Sequence, residues 1–434
     1  MSKNYKVVYY FNDEVTNMSY YMTDDNDEVK EMKGGDIFKE GINKHKFRLL
    51  HGYENNKDGL RKYKKDFNEQ CNELKSISIK TKSKKYFSIN YKKYFNHNDA
   101  VYHNWKYYIQ ADIIKMFEPI KRTEFYIMER CYNAGLITLN LDYKEKVTKC
   151  FSRDFSSYYS NLLVGMKIPF EEGKTYTLHK KDIEFGKLKY GIYRVQITYT
   201  NVQFSNVFNP STEHHYTSTI LNSVYKYKDY FGLKFKLLKA DETYDYNALI
   251  YEYDQLMDGK MLFGNWLKDM LSVKAKIPKN KLLKHLLSTI GGCLTSFNNE
   301  YVSDFSDLDL TRINSNMDSD YKLRKVTDAG QYKCVQSDNA YKHNLARLKP
   351  FLMSLGRKKM LEMIMNNNLI DKVIAIHTDR VTLTEDYDFS KTMKYFPIPE
   401  EKSSGNIIFH NAIYYFKICD TCKQEYKYCC QNCK

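Results

Sequence analysis

No stretch of this chain approaches the roughly 18 consecutive apolar residues that a membrane-spanning helix needs. The opening MSKNYKVVYYFNDE also lacks the apolar centre of a signal peptide. Both absences predict a soluble, intracellular protein without a membrane partner. Acidic residues are in short supply: 53 Asp and Glu stand against 68 Lys and Arg, a formal net charge of +15. That balance disfavours an acidic small molecule and favours a polyanion such as DNA or RNA. A second origin stays open, because most of the positive charge is lysine and the chain is also rich in Tyr, Asn and Ile, as an AT-rich genome would impose. No internal repeat is present, and the compositional bias is spread along the whole chain.

At 434 residues the chain can bury a large core divided among two to four subdomains. Val7 to Phe11 is strand-like, and the charged segment from Glu54 to Lys85 reads as solvated helix and loop. Tyr108, Ile109, Ile113 and Phe117 are spaced to share one helical face, with Asp112 one turn after Tyr108. The segment from Glu124 to Asn161 reads as a hairpin-like element, then a strand that delivers Asp154 to a helix start. Gly191 to Thr200 alternates like a strand, and residues 201–220 are loop. Helices are expected from Leu221 to Tyr227 and from Tyr246 to Leu271.

The clearest helix is NKLLKHLLSTIGGCL, where Leu282, Leu283, Leu286, Leu287 and Ile290 form an apolar stripe opposite Lys281, Lys284 and Ser288. Residues 300–343 are polar and read as insertion or loop. Next comes HNLARLKPFLMSLGRKKMLEMIMNNN, a helix kinked or restarted near Pro350. It leads into KVIAIHTDRVTLTE, an apolar run, a polar tip and an alternating run, the pattern of a hairpin with a functional turn.

Asp154 and Asp379 each follow a strand-like run and sit at a turn, where a carboxylate faces a cleft while its strand stays buried. A lone aspartate there is most often an N-cap or turn residue. Two acids brought together from separate strands are what a two-metal reaction needs, with divalent ions about 4 Å apart.

Four segments in order resemble the motifs of family B DNA polymerases of the protein-primed viral and plasmid type. DFSSYYS at 154–160 resembles D-x-x-S-L-Y-P, matching Asp154, Ser157 and Tyr159, with Tyr158 for Leu and Ser160 for Pro. KHLLSTIGG at 284–292 is similar to K-x-x-x-N-S-x-Y-G. It keeps Lys284 and Gly292, with Ser288, Thr289 and Gly291 in place of Asn, Ser and Tyr. HTDR at 377–380 resembles the Y-x-D-T-D-S turn: Asp379 matches the second Asp, while His377 and Arg380 replace the first Asp and Ser. YNAG at 132–135 is similar to Y-x-G-G/A.

The resemblance implies an α+β right-hand fold: an antiparallel-sheet palm, helical fingers, a minimal thumb, and an exonuclease domain truncated or absent. The implied domains are an exonuclease-like remnant at 1–120, palm at 121–220 and 300–395, fingers at 221–299, and a thumb with a cysteine-rich tail at 396–434. It further implies that Asp154 and Asp379 are catalytic and hold two Mg²⁺ or Mn²⁺ ions. Ser157, Tyr159, Lys284, Ser288 and Gly292 would bind the incoming dNTP, with Tyr159 under the sugar and Lys284 on the triphosphate. Tyr132, Gly135, Arg357 and Lys358 would contact DNA template and primer.

The resemblance implies a terminal protein primer as partner; the lack of a strand-borne D-x-E before Tyr108 and Asp112 predicts a separately encoded exonuclease, and the 55 residues after Asp379, a short thumb, predict a processivity subunit. A viral or mobile-element product would work in host cytoplasm or nucleus. In the tail, Cys419 with Cys422 and Cys430 with Cys433 are spaced as C-x-x-C chelates for Zn²⁺, with free thiols the alternative. Two other readings remain: a catalytically degenerate relative that binds DNA as a replication subunit, and a basic zinc-knuckle protein that binds nucleic acid.

Overall fold

The computed structural model describes residues 6–11, 20–23, 29–32, 45–50, 57–80, 97–131, 134–200, 213–240, 245–302, 321–326, 332–389, 400–411 and 415–417. Tyr132 and the tail cysteines, Cys419, Cys422, Cys430 and Cys433 among them, lie outside the described residues. The chain divides into two compact units. The first comprises residues 1–109, 268–293 and 326–331; the second comprises 110–267, 294–325 and 332–434.

In the first unit, β1 (Lys6–Phe11), β2 (Tyr20–Thr23), β3 (Val29–Met32) and β4 (His45–Leu50) form a sheet in the order β3-β2-β1-β4. The charged run that follows is one long helix, α1 (Lys57–Lys80). Leu60, Tyr63, Phe67 and Cys71 recur every three or four residues and are its buried face. α2 (His97–Lys106) ends before Tyr108, and α3 (Ala111–Lys115) belongs to the second unit. Tyr108 and Asp112 therefore do not share a helix, contrary to the spacing argument. The backbone instead turns through Tyr107 and Tyr108, whose amides bond to Asn104 and Trp105 carbonyls.

The second unit carries the main sheet. After α4 (Arg122–Arg130) come β5 (Ile137–Leu139), β6 (Val147–Asp154) and α5 (Tyr158–Gly165). A second group follows: β7 (Lys167–Pro169), β8 (Lys174–Tyr176), β9 (Gly191–Thr198), β10 (His215–Thr217), α6 (Ser218–Tyr225), α7 (Lys228–Phe231), β11 (Lys234–Leu237), β12 (Ala248–Ile250) and β13 (Leu256–Asp258). Strands thus occupy much of 246–258, where helix was expected; the helix, α8 (Gly259–Lys276), begins only at Gly259.

The predicted leucine helix is α9 (Lys281–Leu294), and all five stripe residues are buried. Asn280 caps it: its Oδ1 accepts the Leu283 amide at 2.9 Å, while its Nδ2 donates to Glu73 on α1 at 2.6 Å. β14 (Asn299–Val302), β15 (Tyr321–Val326) and β16 (Tyr332–Gln336) form a three-stranded sheet where loop was expected. The chain then runs through α10 (Leu348–Asn366), β17 (Val373–His377), β18 (Arg380–Leu383), β19 (Glu400–Phe409) and β20 (Tyr415–Lys417).

The main sheet has the order β20-β19-β6-β18-β17-β5, every neighbouring pair antiparallel. β5 and β6 do not form the hairpin their sequence suggested: β18 and β17 lie between them. Central β17 is buried along Val373 to Ile376, as a continuous apolar run requires when both faces are covered. Across β6 and β18, Ser152 and Thr382 hydroxyls meet at 2.8 Å, so the buried polar groups satisfy each other.

A buried ion pair ties α4 to the start of α10. Arg347 donates to both carboxylate oxygens of Glu124 at 2.8 Å and to the carbonyls of Glu118 and Pro119. Burial pushes the Glu124 carboxyl up, opposed by the Arg347 charge. α10 starts cleanly at Leu348, so Pro350 falls in its first turn, where a missing amide costs nothing.

Candidate active site

β6 ends at Asp154 and β18 begins at Arg380, and these two residues are register partners. Asp379 immediately precedes Arg380 in the β17–β18 turn, so the pairing sets Asp379 beside the end of β6. The amide of Phe155 then donates to the Asp379 carbonyl at 2.9 Å. The backbones that carry two acids remote in sequence are thereby held side by side by sheet hydrogen bonds. Both are half-buried. On the other side of β6, Glu400 of β19 is also a register partner of Asp154.

His377 closes β17 and senses both acids. Burial pushes its imidazole pKa down and Arg380 adds to that, while Asp379 and Asp154 oppose it. Arg380 donates to the Tyr415 hydroxyl at 2.8 Å. Among the described residues no cluster of three or more His, Cys, Asp or Glu is arranged to hold a metal ion.

The turn itself is strained. Thr378 has φ 58°, in the left-handed region that a β-branched residue rarely enters. Its amide donates to Leu136 O at 2.7 Å, and its hydroxyl stands 2.7 Å from both Asp379 Oδ1 and His377 O, sharing one proton between them. The hydroxyl bond orients the carboxylate, while the amide bond pins the tip to the strand beside it. Ser157 is a second left-handed position, φ 55°, where the chain leaves Asp154 and enters α5. Asn161 secures that entry, its amide and Nδ2 both donating to Ser157 O at 3.1 and 2.9 Å.

α5 presents two tyrosines. Tyr158 is buried, donates to Gly356 O on α10 at 2.6 Å, and has its hydroxyl pKa pushed far up, chiefly by burial. Tyr159 is half-buried and lies against Gly135 and Gly356. A Cβ on Gly135 would stand 2.7 Å from the Tyr159 hydroxyl and 2.9 Å from Thr378 Cγ2. The glycine lets the 134–136 backbone touch both motif loops at once.

Arg357 supports that segment from behind. The residue is only 2% exposed, and its guanidinium donates to Ala134 O at 2.6 Å and Ser354 Oγ at 3.2 Å. It was expected to be available to phosphate; burial removes it from that role, and it positions backbone instead. Its neighbours Ser354, Met360 and Leu361, three or four residues away on the helix, are all buried, the signal that would have identified an inward-facing arginine. Lys358 is partly exposed, with Glu362 at 3.9 Å. Thr378 is thus a site-shaping residue that the motif reading missed, and Arg357 one to which it gave a different role.

Lys284, Ser288 and Gly292 are exposed on α9 in the first unit, whereas both carboxylates belong to the second. Gly292 sits inside the helix, not at a turn.

No family model matches this chain, and no curated protein matches it. Some solved structures are similar to it. They include Phi29 DNA polymerase complexed with single-stranded DNA, at 13% identity and TM-score 0.49, covering 76% of this chain and 57% of that one. The same polymerase complexed with primer-template DNA and incoming nucleotide substrates gives 13% identity, TM-score 0.49, and 76% and 58% coverage. This chain therefore spans less than two thirds of those proteins' length.

Proposed function

We propose that this chain is a template-directed DNA polymerase that adds dNMP from a dNTP to a primer 3′ hydroxyl. The observation that carries the proposal is the pairing of the Asp154 strand end with the Asp379 turn, closed by the Phe155 amide. The motif resemblance supports it as well, because the two acids whose backbones are paired are the two it singles out.

Asp154 and Asp379 offer hard oxygen donors of the kind Mg²⁺ or Mn²⁺ takes, and would hold the ions between them. Such ions would activate the 3′ hydroxyl and neutralise the triphosphate. Thr378 holds the Asp379 carboxylate in place, and Gly135, backed by Arg357, keeps the adjoining backbone close. Tyr159 is proposed to lie under the deoxyribose, where its ring would exclude a 2′ hydroxyl. Zinc in the tail, a protein primer, and separately encoded exonuclease or processivity subunits remain proposals from the sequence alone.

A second reading has its own support. His377 stands where the motif has an acid, and no three-acid cluster is present among the described residues. On that reading the chain binds DNA as a replication subunit and adds no nucleotide. The deciding experiment offers a primed template and labelled dNTP with Mg²⁺, then with Mn²⁺. Extension with either ion supports the polymerase; tight DNA binding with extension by neither supports the binding subunit.

A further inference from the structure

The middle of α10 holds a glycine where its pattern calls for a larger residue. Leu352 and Met360, one turn to either side of Gly356, are both buried, so Gly356 stands on an inward stripe of the helix and is itself buried. Glycine inside a helix is less stable than alanine, because it loses more backbone freedom on folding. Gly356 is not a left-handed position, so backbone conformation does not require it.

Space does. A Cβ on Gly356 would stand 3.3 Å from Tyr159 Cε1, 3.4 Å from Tyr158 Cε1 and 3.6 Å from Leu162 Cδ1, all on α5. The first two distances are shorter than the roughly 3.5–4.0 Å at which carbon atoms pack best.

The two tyrosines are not equally able to give way. Tyr158 is buried, with its hydroxyl on Gly356 O at 2.6 Å and its ring 5.3 Å from that of Phe155. Tyr159 is half-buried and meets Tyr158 edge to face, at 5.3 Å and 84°. At its hydroxyl end, a Cβ on Gly135 would stand 2.7 Å away. Two glycines remote in sequence therefore bracket Tyr159, Gly356 at the ring edge and Gly135 at the hydroxyl. The ring sits this close to α10 because position 356 carries no side chain.

We propose that Gly356 is a positioning residue for sugar selection: the notch it leaves in α10 sets how far the Tyr159 ring stands from the sugar of the incoming nucleotide. The inference rests on the reading of Tyr159 as the residue under the deoxyribose, and adds what fixes its depth. A methyl at 356 moves the ring a few tenths of an ångström away from α10, toward the sugar. A 2′ hydroxyl reaches farther toward the ring than a 2′ hydrogen, so the ribonucleotide loses more than the deoxyribonucleotide.

The test uses the full chain with Mg²⁺ and a primed template whose 3′ end lacks a hydroxyl, so that no nucleotide is added. dTTP and its ribonucleotide counterpart compete against a fluorescent dNTP, and the ratio of their affinities is the readout. Gly356→Ala is expected to weaken dTTP by about threefold and the ribonucleotide by about tenfold or more, raising the ratio by about threefold. Tyr159→Ala is expected to collapse the ratio, and adding Gly356→Ala to it should then change nothing, because the ring through which the methyl acts is gone. The double variant also has more room for the methyl, so a double that folds where Gly356→Ala alone does not would support the notch. A Gly356→Ala protein that binds both triphosphates in the wild-type ratio, while Tyr159→Ala lowers that ratio, would overturn the proposal alone. A ratio untouched by Tyr159→Ala would remove the reading of Tyr159 on which it rests, and the proposal with it.

Discussion

The Phe155 amide donates to the Asp379 carbonyl at 2.9 Å, joining the end of one strand to the turn of a hairpin that comes much later in the chain. Around that bond lie Thr378, Gly135, Tyr159 and, behind them, Arg357.

Arg357 is buried with its guanidinium on Ala134 O and Ser354 Oγ. Arg357→Ala strands a buried carbonyl and opens a cavity, and is expected to cost about 3 kcal/mol of stability in chemical denaturation. Arg357→Lys should recover less than half, since one ammonium cannot reproduce the guanidinium fork. A neutral effect would mean the guanidinium supports nothing.

Gly135→Ala places a methyl 2.7 Å from the Tyr159 hydroxyl, forcing a shift in one of the two motif loops. The expected cost is about 1–3 kcal/mol. Gly135→Ala with Tyr159→Phe should recover part of it, because the hydroxyl is the nearest obstacle. Thermal melting of the single and double variants measures the coupling.

Thr378 sits at φ 58° and donates to Asp379 Oδ1. Thr378→Ser keeps the hydroxyl and should behave as wild type. Thr378→Val loses a bond to a charged group, worth about 1.5–3 kcal/mol, and should raise the Mg²⁺ concentration for half-maximal extension by about tenfold or more. A metal titration of the three proteins decides it.

His215 is buried beside Arg130 and Arg194, and its pKa is lowered to about 4, mainly by burial, while its Nδ1 donates to Glu213 O. In the unfolded chain the ring titrates near 6.5. Between those values the unfolded state holds the extra proton, so this contribution is full above pH 6.5 and falls as pH drops toward 4, by about 3 kcal/mol. His215→Gln should flatten that part of the stability–pH curve.

Much of the site was legible because its signals are local. Four buried residues before His377 and a polar tip mark β17 and its turn, and five apolar residues at helical spacing mark α9. Partner choice was not legible, because it is made between distant segments: nothing in β5 or β6 says that β17 and β18 will come between them. The break between Lys106 and Ala111 was missed because apolar spacing continued across it. Arg357 was misread for a related reason. Its charge suggested solvent, and only its buried neighbours on the folded helix reveal that it faces inward.

The most direct measurement is primer extension by wild type, Asp154→Ala and Asp379→Ala, alongside each protein's affinity for the primed template. Loss of extension by about a thousandfold or more in both variants, equivalent to about 4 kcal/mol, with DNA affinity retained, is the predicted result. Extension by Asp379→Ala at the wild-type rate would contradict the account.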